Sequence, residues 1–150
     1  MAYRLISGVT AKISEPDREA TTAETVLWRL PYPPTVNHYW RTVWKPGWPR
    51  PRILISKAGR TYRADVQSKL SAQFGAVPYC PGPLKVEIRV QFPDRRKRDL
   101  DNLLKGLLDA LQQAAVYLDD SRIRDLRIYD AGEIVSGGAV DVTITPINGG

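Results

Sequence analysis

The sequence predicts an α+β domain in which one main, mixed β-sheet packs against two helices. Alternating apolar and polar residues predict a strand over Leu84–Phe92. Apolar residues at helical spacing predict one helix over residues 56–74 and a second that ends near Ala115. The chain of 150 residues has the usual length of one domain, and 43% of its residues are hydrophobic. Such a chain buries enough apolar surface to fold without disulfides or a structural metal.

The N-terminal segment, residues 1–25, is predicted to be an extension that precedes a domain formed by residues 26–150. Its weak alternation of apolar and polar residues is interrupted at Ser7, and the remainder is mostly polar. An apolar run over residues 25–30 then predicts the first strand of the domain, which Pro31 ends.

Residues 31–56 are predicted to form a long, basic and aromatic loop. They contain Trp40, Trp44 and Trp48, together with prolines and a glycine that disfavour long regular elements. Long loops in compact domains are often functional, so this segment is a candidate for binding.

The rest of the chain alternates between helices and strands. In the first helix, apolar side chains recur every four residues from Tyr62 to Phe74 on one face. A charged connection separates the strand over Leu84–Phe92 from the leucine-rich second helix. Two further strands are predicted over residues 123–129 and 139–145, joined by a turn that contains two consecutive glycines.

The cysteine and histidine content excludes several kinds of site. Cys80 is the single cysteine and His38 the single histidine, so intramolecular disulfides, zinc–cysteine clusters and histidine-rich metal centres are excluded. Carboxylates are then the available metal ligands. The chain shows neither an apolar run of membrane-spanning length nor a secretion signal, and it predicts a cytoplasmic protein with no membrane partner.

Positive charge is concentrated in one part of the chain. The net charge is +6, and the isoelectric point is near 9.6. Residues 41–69 contain eight basic side chains and a single acidic one, Asp65, which is a larger excess than that of the whole chain. A concentrated basic stretch indicates a polyanionic partner, and nucleic acid is the leading candidate.

The candidate catalytic acids lie between residues 93 and 120. Asp99 and Asp101 are two apart, and side chains at this spacing in extended backbone point to the same side. Asp120 follows the second helix, and a β-α-β arrangement is expected to place it beside the other two. Carboxylates without histidine or cysteine partners favour a hard cation, Mg²⁺ or its substitute Mn²⁺. Such an ion polarises a phosphoryl oxygen and lowers the pKa of bound water.

Basic residues accompany these acids. Lys105 lies one helical turn after Asp101 and is a candidate for neutralising charge on a scissile phosphate. The run that precedes the acids consists of Arg95, Arg96, Lys97 and Arg98. This run is predicted to hold the flanking phosphates. Acidic groups for a metal beside basic groups for the backbone are what phosphodiester hydrolysis requires.

Each of these features also has a purely structural interpretation. Asp99 or Asp101 is a candidate helix cap, and Lys105 is spaced to form an ion pair with Asp109. The consecutive aspartates near residue 120 are typical of a turn, and a basic run is usually a solvated loop. The combination, rather than any single feature, favours the catalytic interpretation.

The combined motifs resemble those of a known family. The segments that carry the resemblance are RDLDNLLKGLLDAL and YLDD, with LPYPPTVNHYWR and SKAGRTYRADV upstream. Together they resemble the RusA family of Holliday junction resolvases, found in bacteria and their prophages. The resemblance extends over residues 26–146 in the family's order. Residues 1–25 and the tryptophan-rich segment 42–54 depart from the family pattern.

The resemblance implies a homodimeric, Mg²⁺-dependent endodeoxyribonuclease of α+β fold. Such an enzyme resolves four-way DNA junctions by paired, symmetric nicks in DNA recombination and repair. The resemblance assigns Asp99, Asp101 and Asp120 to the acidic metal site and Lys105 to the catalytic lysine, and Asp119 matches a neighbouring acid. Two symmetric nicks fit the two equivalent sites of a two-fold dimer.

Two alternatives stay open at this point: a branched-DNA binding module without catalysis, and a nuclease that acts on other branched or flap DNA. The basic residues predicted to contact DNA outside the run 95–98 are Arg41, Lys57, Arg60 and Arg63. Trp44 and Trp48 are candidates for stacking on bases unpaired at a junction centre, or for packing on the core or on a partner subunit.

Overall fold

The structure, a computed structural model, describes residues 25–147. Its strands are β1 (Val26–Pro31), β2 (Trp40–Val43), β3 (Arg52–Ile55), β4 (Leu84–Phe92), β5 (Ile123–Ile134) and β6 (Ala139–Pro146). Its helices are α1 (Val36–Tyr39), α2 (Lys57–Phe74) and α3 (Leu104–Gln113), and two short 3₁₀ turns span Asp101–Leu103 and Asp120–Arg122. The predicted N-terminal extension, apart from Thr25, lies outside the described residues.

The main sheet has four strands in the order β1-β6-β4-β5. β6 pairs antiparallel with both β1 and β4, whereas β4 and β5 are parallel, so the sheet is mixed as predicted. α3 connects β4 to β5 and forms the crossover that a parallel pair requires. This β-α-β unit fixes where the two ends of α3 lie relative to the sheet.

The apolar faces of the sheet and of both long helices form one core. In β4 the apolar residues from Leu84 to Val90 are fully buried, and the charged residues between them are partly exposed. α2 contributes Val66 and Leu70, and α3 contributes Leu107 and Leu111, all with no exposed surface. The helical stripes and the strand alternation predicted from the sequence are confirmed.

Both ends of α2 follow from local sequence. Ser56 caps the helix, because its hydroxyl oxygen accepts a hydrogen bond from the Gly59 N–H at 3.0 Å. Gly75 ends the helix in the left-handed region, with φ of 77°, and its N–H donates to the Ser71 carbonyl oxygen at 2.7 Å. The helix predicted over residues 56–74 is therefore confirmed.

Tyr39, at the end of α1, is fully buried where α2 and α3 approach each other. A Cβ atom at Gly59 of α2 would lie 2.6 Å from the Tyr39 carbonyl oxygen. A Cβ atom at Gly106 of α3 would lie 2.9 Å from the Tyr39 ring. Glycine at both positions therefore permits the close approach that fixes α3 against α1 and α2.

Residues 31–56 differ from the predicted long loop. They form α1 and an antiparallel hairpin of β2 and β3, which is separate from the main sheet. Each hairpin strand is only four residues long, and Pro46, Pro49 and Pro51 lie between the strands. The prolines therefore mark the connection of a hairpin, where they interrupt no ladder hydrogen bond.

The last two strands are confirmed with small changes in length. β5 continues to Ile134, five residues beyond the predicted end, and β6 ends at Pro146. Gly137 and Gly138 form the turn between them, and both have positive φ. No helix within residues 25–147 is long and apolar enough to cross a membrane.

Candidate active site

Asp99 and Asp101 lie where the loop after β4 turns into the helical segment that leads to α3. Both side chains are exposed, and Asp101 is the first residue of the 3₁₀ turn. Leu100 occupies the cap position, and no side-chain cap hydrogen bond is formed there. Among the described residues, neither carboxylate has a hydrogen-bond or ion-pair partner. The helix-cap interpretation is therefore wrong, and both carboxylates are available to a ligand.

Lys105 lies in the first turn of α3, four residues after Asp101, and its side chain is exposed. Within residues 25–147 it forms no ion pair, because Asp109 pairs with Arg63 of α2 instead. The predicted ion pair between Lys105 and Asp109 is therefore wrong. Asp101 and Lys105 leave opposite charges at the same exposed end of α3.

Asp109 belongs to a partly buried polar network that joins the three helices. Its Oδ2 atom accepts a hydrogen bond from Arg63 Nε at 2.8 Å and another from the Tyr39 hydroxyl. Arg63 Nε also donates to the Tyr39 hydroxyl oxygen at 3.0 Å. Burial, followed by the hydrogen bond to Asp109, raises the pKa of Tyr39 far above its ordinary value. Sequence analysis missed this network, because nothing in a linear pattern pairs two helices that are distant along the chain.

The two consecutive aspartates before β5 have different environments. Asp119 caps the 3₁₀ turn, because its Oδ1 atom accepts hydrogen bonds from the hydroxyl and the N–H of Ser121. These bonds lower the pKa of the Asp119 carboxyl. The Asp120 carboxylate is exposed and has no partner in the part of the chain that the structure describes. Asp119 is thus the structural member of the pair, and Asp120 is available to a ligand.

Asp120 does not lie beside Asp99 and Asp101 in one chain. As the crossover between parallel strands, α3 begins near the end of β4 and ends near the start of β5. The Asp120 N–H donates to Gln112 Oε1 at 3.2 Å, which places Asp120 at the C-terminal end of α3. That end is about 16 Å along the helix axis from Asp101.

A single chain therefore does not assemble the predicted set of three carboxylates. Within the described residues, no three His, Cys, Asp or Glu side chains form a group that could hold a metal ion. The β-α-β arrangement is present, but the expectation that it brings Asp120 to the other two acids is wrong for one chain. The physical reason is that a crossover helix separates its two ends by its own length.

Part of the basic run beside the acids is bonded to a neighbouring aspartate, Asp94. The Asp94 carboxylate accepts hydrogen bonds from Arg98 Nη2 at 2.8 Å and from the Arg96 N–H at 3.0 Å. These bonds lower the pKa of Asp94. Arg95 and Lys97 are exposed and, over the described range 25–147, make no ion pair. This run therefore presents two free cations and two that are oriented by Asp94.

A groove of about 660 Å³ connects the basic run with the start of α2. Arg98 lines one part of it and Lys57 another, together with His38 and Tyr32. The structure therefore brings together two residues that the sequence assigned to DNA contact from separate segments. Asp65 also lines the groove, and Arg98 is paired with Asp94, so among the described residues Lys57 is the cation of this groove that is free to meet a DNA phosphate.

The other basic residues predicted to contact DNA differ in exposure and in internal hydrogen bonding. Arg41 lies on β2 with its side chain exposed. Arg60 is exposed on α2, and its Nη1 atom donates to the Ile55 carbonyl oxygen at 3.1 Å. Arg63 is held by Asp109 and Tyr39 as described above, so its guanidinium is engaged inside the protein.

Free carboxylates beside an unpaired lysine and a basic run are typical of a protein that acts on a nucleic-acid backbone. The family model for endodeoxyribonuclease RusA matches residues 31–145. The chain is 38% identical over 118 residues to the crossover junction endodeoxyribonuclease RusA of Enterobacteria phage HK97. This alignment covers 79% of this chain and 92% of that relative.

Two further relatives carry the same name. The enzyme of Enterobacteria phage 82 is 37% identical and that of Escherichia coli strain K12 is 36% identical, each over 116 residues. Both alignments cover 77% of this chain and 90% of the relative. The chain therefore belongs to the RusA family of endodeoxyribonucleases.

Proposed function

We propose that this endodeoxyribonuclease cleaves four-way DNA junctions, the crossover junctions that the names of its relatives state. One observation carries the proposal. Asp99, Asp101 and Lys105 keep their charged groups free within the described residues, whereas the neighbouring Asp94 and Asp109 are engaged in internal bonds. Because the relatives come from bacteria and their phages, DNA inside a bacterial cell is the expected substrate.

Asp99 and Asp101 suit a hard divalent cation. Mg²⁺ is usually held by one or two carboxylates together with water and substrate phosphates. Both carboxylates are exposed and form no bond to another described residue. When bound, Mg²⁺ or Mn²⁺ would polarise the scissile phosphate and lower the pKa of bound water. Lys105 would stabilise the negative charge that develops on that phosphate. The basic run 95–98 and Lys57 would hold the flanking phosphates.

A two-fold dimer completes this site in the proposal. Asp120 lies at the opposite end of α3 from Asp99 and Asp101, so one chain cannot direct all three carboxylates at one cation. A two-fold axis that places the N-terminal end of α3 beside the C-terminal end of α3 in the partner subunit supplies the third acid. Such an interface forms two equivalent sites at once, as two symmetric nicks require.

The first test is cleavage of a synthetic four-way junction with a mobile core, beside a linear duplex and a flap substrate. The expected result is a pair of symmetric nicks on the junction in Mg²⁺ that is absent in EDTA. Tight junction binding without cleavage in Mg²⁺ or Mn²⁺ would instead indicate a binding module. Equal cleavage of the flap would indicate a nuclease of broader specificity.

The composite site is tested by mixing two inactive variants, Asp101→Asn and Asp120→Asn. If each site takes Asp101 from one subunit and Asp120 from the other, a mixed dimer contains one intact site. Refolding the two variants together then restores single nicks on the junction, while each variant alone stays inactive. No restoration in a mixture that forms mixed dimers would show that each chain supplies its own complete site.

A further inference from the structure

The β2–β3 hairpin has a hydrogen-bonded turn at its tip. Here the tryptophan hairpin denotes residues 40–55, that is β2, β3 and the residues between them. At its tip the Trp48 N–H donates to the Lys45 carbonyl oxygen at 3.0 Å. Pro46 and Gly47 occupy the centre of this turn, and Gly47 has φ of 92°, which is the pattern of a type II turn. The turn fixes Lys45 and Trp48 beside each other.

The tryptophan hairpin projects from the body of the protein. The pair Trp40 and Ile55 at its base is half-buried and packs on the core. The next pair on the same face is Thr42 and Ile53, and Ile53 is 72% exposed. Since burial is lost within two residues along one face, the outer half of the hairpin extends into solvent. Trp44, which follows β2, is 57% exposed.

The charge of this hairpin is of one sign. Residues 40–55 contain four basic side chains and no acidic one. Two of these cations contact the Trp48 ring: Lys45 Nζ lies 5.6 Å and the Arg52 guanidinium carbon 4.3 Å from the ring centroid. Trp48 therefore orders two cations at the tip, whereas among the described residues Trp44 has no aromatic or cationic contact to its ring.

We propose that the Trp44 ring stacks on a nucleobase left unpaired at the branch point of the DNA, while Lys45 and Arg52 bind the adjacent phosphates. This inference rests on the proposed junction substrate and adds the surface that recognises its open centre. An exposed aromatic ring among cations is the combination that binds single-stranded nucleic acid without sequence preference. A hairpin-to-hairpin contact with a second copy of the chain would bring like charges together, so charge complementarity favours DNA.

The test compares Trp44→Ala with Trp44→Phe and with the matched control Ile53→Ala. Ile53 lies on the same hairpin and is more exposed than Trp44, but its side chain has no ring. Affinity is measured in EDTA for a four-way junction, a linear duplex and a short oligothymidylate. We expect Trp44→Ala to weaken junction and oligothymidylate binding by about 5- to 150-fold, with duplex binding unchanged. Trp44→Phe is expected to retain most of the affinity, and Ile53→Ala to bind as the wild type does.

A fluorescent adenine analogue at the junction centre supplies an independent measurement. Stacking on Trp44 quenches its emission in the wild type and in Ile53→Ala, and Trp44→Ala abolishes the quenching. Equal affinities for Trp44→Ala and Ile53→Ala would overturn the proposal, as would a change of oligomeric state in Trp44→Ala, which would assign the ring to a subunit contact. Because the oligothymidylate contains no junction, it reports on stacking even if the wild type shows no preference for junctions over duplex.

Discussion

Charged residues in α3 and in the turn before it differ in their burial and in their bonding partners. Asp109, in the middle of the helix, is half-buried, and its carboxylate is bonded to Arg63 and Tyr39. Asp101 and Lys105, at the N-terminal end, are exposed and have no ionic partner within residues 25–147. Asp101 and Asp109 are the same residue type, and only their surroundings differ.

The difference shows how structural and functional charges can be separated. A partly buried charge destabilises the fold unless it is paired and hydrogen-bonded, so Asp109 must have its partners. An exposed charge has no such requirement. Two exposed carboxylates as close in sequence as Asp99 and Asp101 repel each other, and a bound cation removes that repulsion. Internal bonding therefore gives Asp109 a structural role, whereas Asp101 and Lys105 stay available to a ligand.

The largest effect is expected from Asp101→Asn. A divalent cation contributes several kcal/mol of transition-state stabilisation, so loss of a ligand is expected to reduce junction cleavage on the order of 10³-fold or more. Junction affinity in EDTA should be unchanged or slightly higher, because the variant is less negatively charged. Single-turnover cleavage and equilibrium binding measure the two effects separately. Asp125→Asn, which neutralises an exposed aspartate on β5, is the matched control and should cleave normally; equal rates for both variants would remove Asp101 from the site.

A smaller effect is expected from Lys105→Met, which keeps the apolar stem and removes the charge. A single group that stabilises developing charge contributes about 10²- to 10³-fold in rate, so cleavage should fall by that factor. The loss should appear in the single-turnover rate at saturating enzyme rather than in junction affinity. Lys69→Met makes the same substitution at an exposed position of α2 and should leave the rate unchanged. A defect confined to affinity would make Lys105 a binding residue only.

Much of this fold could be predicted because its signals are local. Ser56 and Gly75 mark the ends of α2, and the alternation over Leu84–Phe92 defines the central strand. The hairpin was missed because its strands are only four residues long and its prolines suggested a loop. Those prolines lie outside the paired residues, so they are compatible with strands on either side.

The site could be predicted only in part, because its geometry depends on distant contacts. The motif predicts Asp99, Asp101 and Lys105 as site residues, and the structure places them at one end of α3. The motif also suggested that Asp120 joins them, but a crossover helix carries the chain to the opposite end of the strands before β5 begins. The partner of Asp109 depends likewise on how α2 packs against α3, which local spacing does not reveal.

The internal charge network supplies the last prediction, since it should affect stability and leave cleavage intact. Asp109→Asn keeps the size of the side chain but removes the charge that faces Arg63, at a pair whose side chains are 20% and 27% exposed. Allowing for solvent screening, we expect a loss of about 1–2 kcal/mol in the free energy of unfolding and a decrease in Tm of about 2–4 °C per kcal/mol. Asp94→Asn breaks a pair with Arg98 in which the carboxylate is more exposed than that of Asp109, so it should shift the Tm less.

The pH dependence of this loss distinguishes the network from a simple packing defect. Burial and the bond to Asp109 raise the pKa of Tyr39 in the folded protein above the ordinary value of 10.0. A raised folded-state pKa means stability that is complete below pH 10 and is lost as the pH rises toward the folded-state pKa. Part of this alkaline loss depends on the Asp109 charge, so urea unfolding of Asp109→Asn should show a shallower decline above pH 10 than the wild type. Parallel declines in the two proteins would show that the carboxylate of Asp109 does not raise the pKa of Tyr39. The structural role of Asp109 would then depend on its ion pair with Arg63 alone.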